Sequence, residues 1–234
     1  MRRLLLVSSS ATHGSGYLEH CEEQLRALFG EVKRVLFVPY ALHDRDGYAS
    51  TARKRFEKMG FELDSIHDAE KPVRAVERAD GIFVGGGNTF RLLKTLYEES
   101  LVEPIRRRAR KGMPYMGTSA GSNIACRSIM TTNDMPIVLP PTFEALRLVP
   151  FQLNPHYIDP DPTSTHKGET RATRIKEFHE EHATPVIGIR EGAMLVVEGD
   201  SMRLRGATGG KLFRRGQEPE ECAAGTVLDD LLSE

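Results

Sequence analysis

The chain has 234 residues, of which 39% are hydrophobic and 28% charged, as in a globular protein with an ordinary buried core. Its 32 Lys and Arg residues nearly balance 33 Asp and Glu residues, so no global field favours nucleic acid or an anionic membrane as partner. No apolar run reaches the roughly 18 residues of a membrane span, and three scattered cysteines fit neither a disulfide framework nor a metal site, which favours a reducing, cytoplasmic location.

Strands alternate with helices through the first half of the chain. The opening apolar run, 3–8, is too short for a signal-peptide core and predicts a buried strand. Alternation of this kind predicts a parallel sheet covered on both faces, an α/β fold with a doubly wound, three-layer α/β/α sandwich. Because right-handed crossovers bring all the strand carboxyl ends to one edge, ligands are expected there. Further strands are predicted at 32–40, 61–67 and 81–84, and helices at 17–29, 44–59, 71–79, 90–99 and 101–111.

The second half is less regular. Prolines mark a loop from 131, with a short helix predicted around 143–148, and a strand at 152–157 opens into a polar loop. A helix is predicted at 170–181. Short strands near the C-terminal end indicate a small antiparallel addition to the sheet. No internal repeat or linker is visible, so one domain over 1–234 is expected. These strands are predicted at 185–190, 193–198, 202–204 and 211–214.

The segment Gly117-Thr118-Ser119-Ala120-Gly121 has the G-x-S-x-G pattern of a nucleophile elbow. Glycines at both ends permit a tight turn where a side chain would collide with the neighbouring strand or helix. The turn places the Ser119 hydroxyl at a helix start, where it can attack a carbonyl if a base takes its proton. Five residues alone are a weak signal, so partners are needed elsewhere in the chain.

A base and a carboxylate are the expected partners of such a serine. His156 follows Asn154-Pro155 at the end of a predicted strand, where a loop at the sheet edge would begin, and His166 in the next loop is the competing candidate. Glu191 lies between two apolar strands and is either the orienting carboxylate or a residue of a hairpin turn. The residues leave these alternatives open.

Two backbone amides should hold the oxyanion. The Ala120 amide is one by the geometry of an elbow, and the turn 85–87, with three glycines, can bring a second amide close. The same turn suggests phosphate binding, but no nucleotide-binding motif is completed. No metal is predicted, because the cluster of possible ligands has no standard spacing. That cluster would be His156, Asp159, Asp161 and His166.

The chain contains five motifs in order: Gly85-Gly86-Gly87-Asn88-Thr89-Phe90, Gly117-Thr118-Ser119-Ala120-Gly121, Thr131-Thr132-Asn133-Asp134-Met135-Pro136, Asn154-Pro155-His156 and Lys167-Gly168-Glu169-Thr170-Arg171. Together these motifs resemble the peptidase E family, the α-aspartyl dipeptidases among the serine peptidases related to cyanophycinase. The resemblance runs from the first predicted strand to about Gly199 and implies a fold like class I glutamine amidotransferases, with serine where those enzymes have cysteine. It implies Ser119 as nucleophile, His156 as general base and Glu191 as orienting acid, with the amides of Gly87 and Ala120 as oxyanion hole.

The implied reaction is hydrolysis of dipeptides with a free N-terminal aspartate, without metal or cofactor. Such a substrate needs a cation for its side-chain carboxylate, for which Arg171 is the first candidate and Lys167 the second. Asp134 is the candidate for the α-ammonium, with Asn88 as a neutral helper. An ordinary helix-surface role for Arg171 stays open. So do a β-aspartyl exopeptidase, a non-catalytic binding protein on this fold, and a homodimer.

Overall fold

The computed structural model describes residues 1–161, 163, 165 and 168–233. No helix in this part of the chain combines the length and the apolar character that crossing a membrane requires. The strands are β1 (Arg3–Val7), β2 (Arg34–Val38), β3 (Glu62–Ser65), β4 (Gly81–Val84), β5 (Tyr115–Thr118), β6 (Gln152–Pro155), β7 (Val186–Ile189), β8 (Ala193–Glu198), β9 (Ser201–Gly206), β10 (Gly210–Phe213) and β11 (Glu220–Cys222). The α-helices are α1 (Glu22–Phe29), α2 (Arg45–Lys58), α3 (Pro72–Arg78), α4 (Thr89–Glu98), α5 (Val102–Arg110), α6 (Ala120–Asn123) and α7 (Arg171–Glu181).

The larger sheet has seven strands in the order β3-β2-β4-β5-β1-β8-β9. Its first five strands are parallel, and helices connect them in chain order from β1 to β5. The hairpin of β8 and β9 adds two antiparallel strands beside β1. The sheet is therefore mostly parallel, as the alternation of strands and helices predicts.

Helices cover both faces of this sheet. The pleat of β1 shows the division: Leu4 and Leu6 belong to one hydrophobic cluster, and Leu5 and Val7 belong to another. The first cluster includes buried residues of α3, α4, α5 and α6, and the second includes those of α1 and α2. These four side chains are fully buried. This confirms the predicted α/β fold class.

A second sheet of four strands, in the order β11-β10-β7-β6, packs beside the first cluster. Within it β6 and β7 are parallel, whereas β10 pairs antiparallel with both β7 and β11. The predicted antiparallel C-terminal addition is present, but it is divided between the two sheets, since β9 pairs with β8 and β10 with β7. The single domain over 1–234 stays a prediction.

The short helix predicted around 143–148 is absent, and this prediction was wrong. The amides of Ala145, Leu146 and Leu148 donate to carbonyls of the segment 124–127, at 2.8–3.0 Å. Those long-range bonds replace the local pattern of a helix. The helix predicted from Tyr17 begins at Glu22, because Leu18 has a positive φ of 57° and ends any regular helix before it.

Candidate active site

The elbow follows β5 at the carboxyl edge of the large sheet. Ser119 has φ 49° and ψ −111°, a strained backbone conformation, and its amide donates to the Val7 carbonyl at 3.0 Å. A Cβ at Gly117 would lie 2.4 Å from the Gly121 oxygen, and one at Gly121 would lie 2.1 Å from the Val84 oxygen. The two glycines therefore let β5, α6 and β4 approach closely enough to form the turn.

A hydrogen-bonded chain of three side chains runs from the elbow toward the second sheet. Ser119 Oγ lies 3.1 Å from Nε2 of His156, and Nδ1 of His156 lies 2.8 Å from Oε1 of Glu191. A neutral imidazole that donates from Nδ1 to the carboxylate has Nε2 free to accept the serine proton. The imidazole side chain is 39% exposed and the carboxylate 56%, so the chain is open to a ligand from solvent.

Glu191 lies between β7 and β8, which belong to different sheets. The segment is thus a crossover rather than the hairpin turn that the flanking strands allowed. Its backbone is braced by Thr208, whose hydroxyl donates to the Glu191 carbonyl at 2.7 Å. This crossover directs the carboxylate of Glu191 toward His156, which itself follows β6 of the second sheet.

The glycine turn after β4 contacts the elbow, as expected from the position of both at the carboxyl ends of parallel strands. A Cβ at Gly86 would lie 3.1 Å from the Ser119 Cβ. Gly87 has a φ of 131°, in the region that favours glycine, and a Cβ there would lie 2.7 Å from the Ala41 oxygen. Among the described residues, neither the Gly87 amide nor the Ala120 amide has a hydrogen-bond acceptor, so both N–H groups are free for a ligand.

Asn88 and Asp134 brace a loop against the start of α4. The side-chain Oδ1 of Asn88 caps α4 by accepting from the Arg91 amide at 3.0 Å, and its Nδ2 donates to the Met135 carbonyl at 2.9 Å. Oδ2 of Asp134 accepts from the amide and the hydroxyl of Thr89, at 2.7 and 2.6 Å. Oδ1 of Asp134 has no such bond within the described residues and stays available to a cation.

Arg171 is the first residue of α7, and its side chain is only partly exposed. Partial burial and the nearby charge of Arg174 lower the pKa of the Arg171 guanidinium, and Asp134 opposes that shift. Within the described residues no carboxylate forms an ion pair with Arg171. Lys167 and His166, the second-choice residues for the substrate and for the base, lie outside the described residues.

Comparison with known proteins identifies the family. The profile of peptidase family S51 matches residues 4–205, most of the chain. This chain belongs to peptidase family S51. The chain is 52% identical over 229 residues to peptidase E of Streptomyces coelicolor. The alignment covers 98% of this chain and 94% of that protein.

Other relatives agree with this assignment. A Drosophila melanogaster protein named "Probable alpha-aspartyl dipeptidase" is 51% identical over 234 residues, covering 99% of the S51 chain and 98% of the relative. The crystal structure of a peptidase from an acI-B1 Actinobacterium superposes with a TM-score of 0.73 at 21% identity. It covers 97% of this chain and 96% of that one, which supports the fold.

Tyr48 lies beside the candidate active site, and the sequence alone does not single it out. Its hydroxyl accepts a hydrogen bond from the Gly86 amide at 2.8 Å, and so fixes the glycine turn next to Ser119. Burial raises the pKa of Tyr48, which therefore stays protonated at neutral pH. In the sequence Tyr48 is one apolar position of an amphipathic helix, and no local signal distinguishes it from a core residue.

The acidic residues considered as metal ligands have other partners. Asp159 pairs with Arg190 at 2.6 Å and with Lys211 at 3.0 Å, and these bonds lower the pKa of its carboxyl. Asp161 accepts from both the amide and the hydroxyl of Thr163. Among the described residues, ligand atoms close enough to share a metal ion occur at Asp46, His67 and Asp68, none of which belongs to the predicted cluster.

Proposed function

We propose that this protein is a serine exopeptidase that hydrolyses Asp-X dipeptides with a free N-terminal aspartate. The observation that carries the proposal is the chain of hydrogen bonds from Ser119 through His156 to Glu191 at the end of a nucleophile elbow. The names of relatives about half identical to this chain support the aspartyl substrate.

In the proposed mechanism Ser119 Oγ attacks the scissile carbonyl carbon while His156 Nε2 takes its proton. Glu191 keeps Nδ1–H oriented and stabilises the imidazolium. The amides of Gly87 and Ala120 hold the oxyanion of the tetrahedral intermediate. Its collapse breaks the C–N bond, and His156 returns the proton to the leaving amine. Water, activated in the same way, then hydrolyses the acyl-enzyme and releases aspartate.

Recognition of the substrate aspartate is assigned to a cation and an anion beside the elbow. Arg171 is proposed to bind the side-chain carboxylate, because its partly buried guanidinium can donate two parallel hydrogen bonds. Asp134 Oδ1 is proposed to bind the α-ammonium, and Asn88 to assist it. Lys167 remains the second choice for the carboxylate. The influence of Asp134 on the pKa of Arg171 supports their being close enough to bind one small zwitterion.

Replacement of Arg171 tests this assignment. Loss of a charged, bidentate hydrogen bond corresponds to about 1.5–3 kcal/mol, so Arg171→Ala is expected to lower kcat/KM for Asp-Leu by roughly 10- to 100-fold. The loss should appear mainly as a higher KM. The kcat/KM of Arg171→Lys should lie between those of wild type and Arg171→Ala. Arg174→Ala, three residues along the same helix in an exposed pair with Glu169, is the matched control. An equal loss in both alanine variants would contradict a specific role for Arg171.

The experiment that tests the function compares two isomeric dipeptides. The purified protein is incubated with α-Asp-Leu, β-Asp-Leu and Asp-p-nitroanilide, each with and without EDTA. Release of leucine from the α-isomer and of nitroaniline, unchanged by EDTA, is expected. Hydrolysis of the β-isomer alone would replace the proposal with a β-aspartyl exopeptidase. Inertness of the folded protein toward all three would favour a binding protein on this fold.

We also propose a cytoplasmic location, supported by three free and buried thiols. These are Cys21, Cys126 and Cys222. Burial raises the pKa of the Cys21 thiol to about 12, so it stays in the protonated, unreactive form. A homodimer stays a prediction. The peptide substrate is the only partner that the proposed reaction needs.

A further inference from the structure

We infer that Ser8 is a positioning residue, which holds the backbone of His156 in the conformation that presents the imidazole to Ser119. The inference rests on the proposed function, since it concerns the same base. Ser8 is the first residue after β1, and it is fully buried. A substrate therefore cannot touch it, and any effect on the reaction must act through other residues.

The Ser8 hydroxyl both accepts and donates a hydrogen bond. It accepts from the His156 amide at 2.9 Å and donates to the Ile189 carbonyl at 2.9 Å. Ile189 is the last residue of β7, two positions before Glu191. One side chain thus connects the backbone at the proposed base with the strand that leads to its carboxylate. The Ser8 amide adds a third connection, donating at 3.0 Å to Ala193, two positions after Glu191.

The His156 backbone needs such support, because its φ of 53° lies in the left-handed region, which histidine seldom adopts. The pairing of β6 with β7 ends at Pro155 opposite Ile189. The next available bond of that ladder goes to the Tyr157 amide, which donates to the Ile189 carbonyl at 3.1 Å. The His156 amide does not join the hydrogen bonds between β6 and β7, and it donates instead to the Ser8 hydroxyl. Without it, this partly buried amide has no acceptor and the backbone is free to relax.

The neighbouring residue fixes the other reacting group. The Val7 carbonyl accepts from the Ser119 amide at 3.0 Å, so consecutive residues at the end of β1 hold the backbones of both Ser119 and His156. The distance between Ser119 Oγ and Nε2 depends on both attachments. A shift of the order of 1 Å at a reacting group can cost about 100-fold in rate.

The chain offers a matched control one position further along. Ser9 is 2% exposed, and its hydroxyl has no hydrogen-bond partner among the described residues. Ser9→Ala therefore removes the same atom from an equally buried site without breaking a bond. Ser8→Cys keeps a group of similar shape but only a weak donor and acceptor, so it should rescue part of the function lost in Ser8→Ala.

The test measures kcat and KM for Asp-p-nitroanilide, thermal unfolding, and the rate at which a fluorophosphonate labels Ser119, in wild type and the three variants. For Ser8→Ala we expect kcat and the labelling rate to fall about 10- to 100-fold while KM changes less than about threefold. Ser8→Cys should be intermediate and Ser9→Ala close to wild type.

The inference is overturned if Ser8→Ala labels and turns over like wild type, if Ser9→Ala loses as much, or if the loss is in KM alone. Should Ser8→Ala lack a cooperative unfolding transition, Ser8→Cys is judged by the same criteria. A wild type that labels but does not hydrolyse aspartyl substrates would contradict the proposed function only, since the labelling rates still test Ser8. A wild type that neither labels nor hydrolyses would contradict both.

Discussion

Ser119→Ala is expected to lower kcat for Asp-Leu hydrolysis by about 10⁴- to 10⁶-fold, the range seen when a serine nucleophile is removed from a triad. The hydroxyl is the only group of the proposed site that can form the acyl-enzyme, and the amides of Gly87 and Ala120 cannot replace it. The thermal midpoint should change little, because within the part of the chain that the structure describes the Ser119 side chain has one hydrogen-bond partner, the half-exposed His156.

Steady-state kinetics and mass spectrometry check this result together. Wild type treated with a fluorophosphonate should gain one label on the peptide that contains Ser119, and Ser119→Ala should gain none. Ser233→Ala, at an exposed serine near the C-terminal end, serves as the control and should behave as wild type. Retention of a tenth or more of the activity by a pure Ser119→Ala sample would rule out the proposed serine mechanism.

Glu191→Gln is expected to give the second largest loss, a fall in kcat of about 10²- to 10⁴-fold. The amide keeps the shape of the carboxylate but not its charge, and it can present either oxygen or NH₂ to Nδ1 of His156. The imidazolium formed during attack then loses its counter-charge, and the required tautomer is no longer enforced. Because the carboxylate is 56% exposed, water partly replaces its charge, which favours the lower part of this range.

The measurement is kcat at saturating Asp-Leu, with KM determined in parallel. Glu198→Gln is the matched control, since it neutralises an exposed carboxylate at the end of β8, in the same chain segment. We expect KM to change little in either variant. A Glu191→Gln protein with more than a third of wild-type kcat would show that the 2.8 Å contact to His156 is not used in the reaction.

Several features of this protein follow from local sequence patterns. Buried strands alternating with amphipathic helices predict a parallel sheet and bring the glycine turn at 85–87 to the same edge as Ser119, which the structure confirms. The elbow is equally local, because Gly117 and Gly121 are required by contacts within the turn and with the adjacent strand. Periodicity and glycine placement are short-range properties, so the sequence contains them directly.

Local sequence patterns do not identify the base and the carboxylate that lie beside Ser119. Position in the chain leaves His156 and His166 as competing candidates for the base. It also leaves two roles for Glu191, the orienting carboxylate or a residue of a hairpin turn. Only the family resemblance favours His156 and Glu191. The structure brings both to Ser119, and their catalytic roles stay proposals. No local sequence pattern identifies these partners, because the second sheet, which positions His156 and Glu191, is formed by pairing β6 with β7 and β7 with β10, and these strands are far apart in the chain.

The alternation of elements, the elbow and the edge at which the site lies follow from the amino-acid sequence alone, since each depends on neighbours a few residues away. The three-dimensional fold sets the remaining features: the division of the C-terminal strands between two sheets, the loss of the helix at 143–148, and the bracing roles of Asn88 and Asp134. It also decided the bond from Ser8 to His156, across 148 positions. These depend on which distant donors and acceptors satisfy one another once the chain is compact, and no local pattern encodes that pairing.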